Sequence, residues 1–358
     1  MNALDLTTRS GKSIVDIAIA PLLERGVEPI LVDAGARGGM HDLPASYARH
    51  IHLIGFEPNP EEFAKLVEHN TDAQREGHIP PRWKKESFKD VALWDKAETR
   101  PLYITNDTGA ITLMGELAPN ICNNIYSGFA KIQGGGGAQV LTALTDIRKM
   151  LSVEEIKCDS LDNIMAIEGS QGVIDFLKID VEGAETRVLQ GARALLDGGR
   201  ILFVKSEFQC VPLYEESGAL PGPQLVLLHG QGFRLLDFGT GLSQYARCQS
   251  AIPKAVDRGL AFTGDAFFAL DPDRVTMSDT DLQRLGLISI ALGFRSFGLS
   301  VMRDAKLLST AELSQIEEAL SRVRMRRRLR RAWEDFPHRV AKALYSPARH
   351  LRAVRAKL

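Results

Sequence analysis

Residues 29–39 read PILVDAGARGG, an apolar run that ends in a glycine-rich segment. A short run of branched apolar residues is typical of a buried strand, and the glycines end it. A strand that runs into glycines lets a ligand approach backbone N–H groups closely, but a tight turn between strand and helix has the same composition. The glycines at 35, 38 and 39 do not fit the G-x-G-x-x-G dinucleotide fingerprint. The segment alone therefore leaves a nucleotide-like ligand and a plain turn open.

The next apolar run, residues 51–57, ends in an acidic residue, Glu57, just before Pro-Asn-Pro. An acidic side chain at the end of the second strand of such a unit accepts hydrogen bonds from ribose hydroxyls. Together with Asp33, which precedes the glycines, it favours an adenosine ligand that carries a positive charge over one that carries a pyrophosphate.

A second charged stretch is FLKIDVEGAE at residues 176–185. Asp180 and Glu182 follow an apolar strand, at the edge where open α/β sheets place their ligands, and Glu207 stands near the end of the next strand. Clustered carboxylates repel one another unless a cation or a shared proton relieves the charge. The pattern therefore predicts a divalent metal site or a general base. For Glu185 we expect only the opening of a helix, where the helix dipole favours an acid, and for Glu182 this role and a role in the site stay equally open.

Strands alternate with helical segments along most of the chain, which predicts a parallel α/β sheet with helices on both faces. The predicted strands are 29–33, 51–57, 91–94, 101–105, 173–180, 201–208, 233–238 and 266–270, and the predicted helices are 61–69, 185–196 and 225–229. Residues 106–150 are the least regular, and their run Gly134–Gly137 predicts a mobile loop. After residue 271 the pattern is helical. We expect a helical lead-in over 1–27, a main domain over 28–272 and a helical extension over 273–358.

The composition is that of an ordinary globular protein. The chain has 358 residues, 44% hydrophobic and 25% charged, which excludes a disordered or collagen-like protein. No stretch approaches ~18 consecutive apolar residues, and the N-terminus lacks a clean signal-peptide pattern. The four cysteines form no CxxC pair, so we expect neither a disulfide framework nor a zinc site. We also expect a reducing, cytoplasmic location. The cysteines are Cys122, Cys158, Cys210 and Cys248.

The charge is unevenly distributed. Residues 321–358 hold thirteen of the 44 lysines and arginines but only two of the 45 acidic residues. An arginine run over 322–331 precedes a basic amphipathic pattern that Pro347 interrupts. Such a segment binds an anionic membrane surface, which would place the protein at the inner face of the membrane, or packs on a protein partner or neighbouring subunit. RNA ranks third, because the tail has few interleaved aromatic residues and the rest of the chain is acidic.

Three motifs in this order and spacing resemble the FkbM-type S-adenosylmethionine-dependent methyltransferases. They are LVDAGARGG, IGFEPNP and DFLKIDVEGAETRVLQGA, supported by the shorter strings SLD at 160–162, DVAL at 90–93 and GDAFF at 264–268. The resemblance covers roughly residues 28–272. It implies a class I methyltransferase Rossmann-like fold, with a seven-stranded, mostly parallel sheet whose last strand is antiparallel, and an O-methylation reaction. Ala34 and Arg37 depart from the residues that many relatives carry, so Arg37 contacts either ligand or solvent.

The resemblance also implies roles for individual residues. Asp33, Gly35 and their neighbours would hold the methionine part of S-adenosylmethionine, and Glu57 would hold the ribose. Asp180 would face the methyl group. The full set of implied cofactor residues is Asp33, Gly35, Ala36, Arg37, Glu57, Pro58, Asp90, Val91 and Asp180, with Asp90 and Val91 beside the adenine.

The acceptor implied by the resemblance is a hydroxyl group of a sugar, a polysaccharide or a related small molecule. Such a hydroxyl must lose its proton as the new C–O bond forms, and a carboxylate, a histidine or a metal assists that loss. The candidates for the base are Asp180 and Glu207, then Glu182 and His41. We lean towards a metal such as Mg²⁺ on Asp180 and Glu207, because three acids exceed what one proton transfer requires.

Two other classes of function stay open. An RNA or protein methyltransferase would need a basic or aromatic acceptor groove, which the acidic body disfavours. A non-catalytic binding or scaffold protein would not need Glu57 and Asp180 together.

Overall fold

The computed structural model describes residues 6–9, 11–75, 77, 79–116, 149–167, 172–214, 220–243 and 260–321. The predicted loop at Gly134–Gly137 and the basic segment 322–358 lie outside these residues. None of the described helices is long and apolar enough to cross a membrane.

Ten strands form two sheets within the described residues. The strands are β1 (Ile30–Ala34), β2 (His52–Phe56), β3 (Lys85–Lys89), β4 (Ala92–Leu93), β5 (Glu98–Thr105), β6 (Met150–Asp159), β7 (Phe176–Ile179), β8 (Phe203–Gln209), β9 (Phe233–Ser243) and β10 (Leu260–Leu270). The main sheet has seven strands in the order β3-β2-β1-β7-β8-β10-β9. Its first five strands pair in parallel, whereas β10 is antiparallel to both neighbours. The expected seven-stranded sheet with an antiparallel last strand is therefore confirmed.

The helices that connect and cover the strands are mostly short. They are α1 (Ile14–Leu23), α2 (Ala45–Ala48), α3 (Pro60–Val67), α4 (Asp72–Arg75), α5 (Leu161–Ile167), α6 (Glu185–Gly191), α7 (Arg193–Asp197), α8 (Pro221–Gly230), α9 (Asp279–Ala291) and α10 (Arg295–Asp304). Residues 310–321 are also helical. The helix predicted over 185–196 is thus divided into α6 and α7.

The second sheet is small, with three strands in the order β4-β6-β5. Strands β4 and β5 lie near the predicted strands 91–94 and 101–105, but they belong to this separate sheet. It packs its own apolar cluster, which includes Trp94, Leu102 and Met114, against the turn that follows β7. The small sheet therefore lies over the carboxyl edge of the main sheet.

The helices after residue 278 share the core of the main sheet. Leu285 and Ile288 of α9 are buried in the same apolar cluster as Phe176 and Phe203 of the sheet. A buried ion pair adds to this contact, since Arg284 Nη2 lies 2.6 Å from Asp175 Oδ2. Burying apolar side chains is the main favourable term in folding, so these helices stabilise the sheet directly.

Candidate active site

A cavity of about 410 Å³ lies at the carboxyl ends of β1, β2 and β7, beneath the small sheet. Pockets that hold small ligands usually measure ~300–1,000 Å³, so this one has the size of a cofactor site. The lining residues that sequence analysis singled out are Gly35, Arg37, Glu57, Pro58, Asp180 and Glu182. The structure therefore brings together residues from all three motifs.

The glycine turn after β1 shapes one wall of the cavity. Gly35 has a φ of 85°, which side-chain-bearing residues rarely adopt. A Cβ atom at this position would lie 1.9 Å from the carbonyl oxygen of Asp180. Gly35 is therefore required because the backbones that follow β1 and β7 approach each other directly at the cavity.

A buried lysine joins two carboxylates at this point. Lys178 Nζ lies 3.0 Å from Asp33 Oδ1 and 3.5 Å from Asp180 Oδ2. Burial works to lower the pKa of Lys178, but the nearby carboxylates outweigh it and raise the pKa. The side chain of Asp33 is only 1% exposed, whereas that of Asp180 is 48% exposed. Asp33 is therefore a buried partner of Lys178, and Asp180 is the carboxylate that faces the cavity.

Glu57 follows β2 and lines the cavity from a buried position. Its Oε1 atom accepts the N–H of Asn59 at 2.9 Å, which fixes the side chain. Burial raises the pKa of Glu57 to about 7, partly opposed by the Asn59 hydrogen bond and by the charge of Arg37. A carboxylate held in this way is suited to accept hydrogen bonds from the hydroxyls of a ligand.

The turn after β7 carries Glu182 in an unusual conformation, with a φ of 52°. The hydroxyl of Thr112 donates to the Glu182 carbonyl oxygen at 2.6 Å, and the hydroxyl of Tyr214 donates to Glu182 Oε2 at 3.0 Å. At the next position a Cβ on Gly183 would lie 2.9 Å from the ring of Tyr214. Two residues distant in sequence therefore hold the turn, one through its backbone and one through the Glu182 side chain.

Two further carboxyl groups lie behind this turn. Glu185 begins α6, as predicted, and its Oε1 accepts the N–H groups of Val181 at 3.1 Å and Gly183 at 3.2 Å. Burial raises the pKa of Glu185 to about 8. Burial, followed by the charge of Glu185, raises the pKa of Glu207 to about 9. The Oε2 atoms of both residues are buried and accept no hydrogen bond from the described part of the chain. At neutral pH we therefore expect both groups to hold protons.

Arg37 contacts protein rather than solvent alone. Its Nη1 donates to the hydroxyl of Thr108, in the short 3-10 turn Thr108–Ala110 that follows β5. Both residues line the cavity. Arg37 thus connects the glycine turn of the main sheet to the small sheet above it.

Other predicted residues lie outside the cavity wall. Asp33 and Ala36 are buried behind it, and Glu207 does not line it, although the charges of Glu185, Glu182 and Asp180 act on its carboxyl group. Val91 directly precedes the cavity-lining Ala92, and Asp90 is exposed. The His41 ring is exposed, with Nε2 3.0 Å from the Gly38 carbonyl oxygen.

The expectation of a metal on Asp180 and Glu207 finds no support. Within the described ranges, no group of three or more His, Cys, Asp or Glu side chains is arranged to hold a metal ion. Asp180 instead lies near the ammonium group of Lys178, and burial favours the protonated form of Glu207. We therefore derive no step through a metal.

Sequence reasoning did not assign roles to Lys178, Thr112 or Tyr214. Lys178 could have been predicted, because a charged residue between Leu177 and Ile179 in a buried strand needs a partner of opposite charge. That partner is Asp33, which is in register with Lys178 on β1. Thr112 and Tyr214 carried no such signal, because they come from segments that only the folded chain brings to the turn.

The sequence model described as the Methyltransferase FkbM domain matches residues 33–235, more than half of the chain. The chain belongs to the FkbM methyltransferase family. No curated protein matches this chain.

Solved structures also resemble this FkbM protein, at low identity. The methyltransferase FkbM from Methylobacillus flagellatus KT is 13% identical with a TM-score of 0.32, over 67% of this chain and 43% of that one. This chain thus spans less than half of that protein. The magnesium protoporphyrin IX methyltransferase of Synechocystis PCC 6803, solved with bound SAM, is 10% identical with a TM-score of 0.28, over 71% of this chain and 77% of that one. The family assignment rests on the domain match.

The cavity fits S-adenosylmethionine on three grounds. Gly35 allows the backbones after β1 and β7 to approach closely, which places backbone groups of both turns at the cavity wall. Glu57 offers a buried carboxylate for hydroxyl groups, and Asp180 and Glu182 add further acidic side chains to the lining. Lys178 is paired at 3.0 Å with the buried Asp33, so the half-exposed Asp180 and Glu182 are the acidic groups that can face a cationic ligand.

Proposed function

We propose that this FkbM protein is an O-methyltransferase that uses S-adenosylmethionine and acts on a hydroxyl of a sugar, a polysaccharide or a related small molecule. The observation that carries the proposal is the position of Asp180, a half-exposed carboxylate between the glycine turn after β1 and Glu182 in the turn after β7. Glu57 would hold the ribose hydroxyls, and the segment around Gly35 would lie along the methionine part.

When bound, S-adenosylmethionine supplies an electrophilic methyl group, and the electron pair of the broken sulfur–carbon bond stays on sulfur. Asp180 would accept the acceptor's hydroxyl proton as the oxygen–carbon bond forms. We favour Asp180 over Glu207 because burial raises the pKa of Glu207 to about 9, so this group holds its own proton at neutral pH. The Glu182 carboxylate already accepts a hydrogen bond from the Tyr214 hydroxyl, so we assign it a role in positioning the turn rather than in proton transfer. His41 lies outside the cavity wall.

The direct test of cofactor binding is calorimetric titration of the full chain with S-adenosylhomocysteine, the demethylated product. We expect one site per chain, and a large loss of affinity in Glu57→Ala. Glu61→Ala on the exposed face of α3 is the matched control and should bind like wild type. Absence of binding to the wild-type protein would refute the proposal. Mass spectrometry of glycans and small molecules from a deletion strain, searched for the loss of one methyl increment, would then identify the acceptor.

We further propose that the basic segment 322–358 attaches the enzyme to an anionic membrane surface, where polysaccharide precursors would be in reach. The support is its charge, since the rest of the chain has an excess of acidic residues. Basic residues near an anionic membrane surface each contribute about 1 kcal/mol, so a cluster is sufficient for reversible attachment.

A further inference from the structure

A second, smaller cavity adjoins the site and has no part in the function proposed so far. It measures about 160 Å³ and is lined by Tyr103, Thr105, Ala110, Thr112, Gly115, Glu116, Met150 and Tyr214. We call it the tyrosine cavity. It shares Thr112 with the larger cavity. The two cavities therefore adjoin at Thr112.

Two residues that line the tyrosine cavity also contact the turn after β7 that carries Glu182. Thr112 bonds the backbone of Glu182, and Tyr214 bonds its side chain. Glu182 itself lines the larger cavity. A group that fills the tyrosine cavity would therefore contact the two residues that hold Glu182. Glu182 follows Asp180 by two positions in the chain.

The lining indicates what kind of group fits. Tyr103 and Tyr214 provide aromatic surface, and Thr105 and Glu116 provide oxygen atoms. None of the described residues that line it is basic, so an anionic group such as a phosphate would have no counter-charge here and would be repelled by Glu116. Aromatic surface with hydroxyl and carboxylate oxygens suits an uncharged ring that has apolar faces and hydroxyl groups at its edge.

The volume limits how much of a ligand enters. Pockets that hold a whole drug-sized ligand measure ~300–1,000 Å³, so 160 Å³ accommodates one ring-sized group. We propose that the tyrosine cavity binds the acceptor ring, an uncharged hexopyranoside, and that Tyr214, which lines this cavity and also holds Glu182, orients the ring. This inference rests on the proposed function and specifies where its acceptor binds.

The test uses the full chain loaded with S-adenosylhomocysteine and three defined probes: methyl α-D-mannopyranoside, methyl β-D-glucopyranoside and methyl α-L-rhamnopyranoside. Saturation-transfer NMR reports their binding, and glucose 6-phosphate serves as the anionic comparison. We expect at least one glycoside to bind and the phosphate not to bind. Met150→Trp, which adds bulk at a residue that lines the tyrosine cavity and not the larger one, should sharply reduce glycoside binding while S-adenosylhomocysteine affinity stays the same.

Tyr214→Phe keeps the ring and removes only the hydroxyl, so it tests the proposal even if Met150→Trp does not fold. It should weaken glycoside binding about two- to tenfold, the range expected for one hydrogen bond. Tyr47→Phe is the matched control, since Tyr47 is buried in the core and lines neither cavity. Binding of S-adenosylhomocysteine without any glycoside binding would overturn this inference alone. Glycoside binding that neither cavity variant alters would overturn it too. Failure to bind S-adenosylhomocysteine would overturn the proposed function and this inference with it.

Discussion

The ammonium of Lys178 lies 3.0 Å from the carboxylate of Asp33, at the same register position on neighbouring parallel strands. The side chains are 14% and 1% exposed, so neither charge has much access to water. Removing one partner of a buried pair leaves an uncompensated charge, which typically costs about 3–5 kcal/mol. The pair therefore couples the stability of the central strands to the geometry of the site.

Lys178→Met should lower the free energy of unfolding by about 3–5 kcal/mol, because Asp33 then loses its counter-charge. Urea unfolding followed by circular dichroism measures this change. The control is Arg193→Met, which breaks the exposed Arg193–Asp197 pair and should change stability by less than about 1 kcal/mol. Equal effects of the two variants would contradict a structural role for the buried pair.

Asp180→Asn should reduce methyl transfer by about 10²–10⁴-fold, the range usual for a general base, while S-adenosylhomocysteine binding and the unfolding midpoint stay close to wild type. Initial rates with a labelled methyl donor measure the effect. Asp265→Asn is the matched control, since this acid at the same edge of the sheet has a similarly exposed side chain, 47% against 48%. Asp265 does not line the larger cavity. Wild-type turnover of Asp180→Asn would refute the assignment.

Gly35→Ala should abolish S-adenosylhomocysteine binding, since the added Cβ would lie 1.9 Å from the Asp180 carbonyl oxygen and force the two turns apart. Calorimetric titration gives the result. Gly26→Ala separates this collision from backbone strain, because Gly26 also has a positive φ, 68°, but has no atom within 4 Å of its added Cβ. It should lose some stability and retain binding. Intact binding in Gly35→Ala would show that the two turns tolerate separation.

Stability should fall as the pH rises from about 4.5 towards 9. The folded-state pKa values of Glu185 and Glu207 are raised to about 8 and 9, so the folded chain keeps protons that the unfolded chain releases near pH 4.5. The stabilisation is therefore complete below pH 4.5 and is lost as the pH passes through the folded values. Thermal unfolding across this range measures the slope.

Glu207→Gln should flatten that slope, because the glutamine does not ionise and Glu185 loses its charged neighbour. The exposed Glu155→Gln on β6 is the control and should leave the slope unchanged. A Glu207→Gln variant with the wild-type slope would show that this pair does not govern the pH dependence.

The triple variant Arg326→Gln, Arg327→Gln and Arg328→Gln should reduce flotation of the full chain with phosphatidylserine vesicles. Its effect on flotation with neutral phosphatidylcholine vesicles should be negligible, since the attraction is electrostatic. Adding salt should mimic the substitution. Flotation that is indifferent to the arginines would eliminate the membrane proposal.

The sequence predicted the main sheet well where strands are buried on both faces. Strands β1, β2 and β7 are mostly apolar, and the predicted strand 201–208 that overlaps β8 opens with four apolar residues, the pattern of central parallel strands. The strands that prediction missed are β3 and β6. Strand β3, KESFK, lies at a sheet edge, and β6 is largely exposed, so neither needs an apolar run.

The candidate site was predictable in the same uneven way. Gly35, Glu57 and Asp180 follow their strands directly, and parallel strands bring their carboxyl ends together, so local sequence was sufficient. The high pKa of Glu207 was not predictable, because it depends on burial and on the distance to Glu185. Tyr214 reaches Glu182 only through tertiary packing of the chain after β8.

The region that matches the family ends at residue 235, before β10, the strand that separates β8 from β9. A recombinant fragment cut there would leave the hydrogen-bonding edge of β8 uncovered and would remove Arg284, the partner of Asp175. Uncovered strand edges recruit other chains, so we expect such a fragment to aggregate. Crystallisation and biophysical work on this protein should therefore keep the chain at least through residue 321.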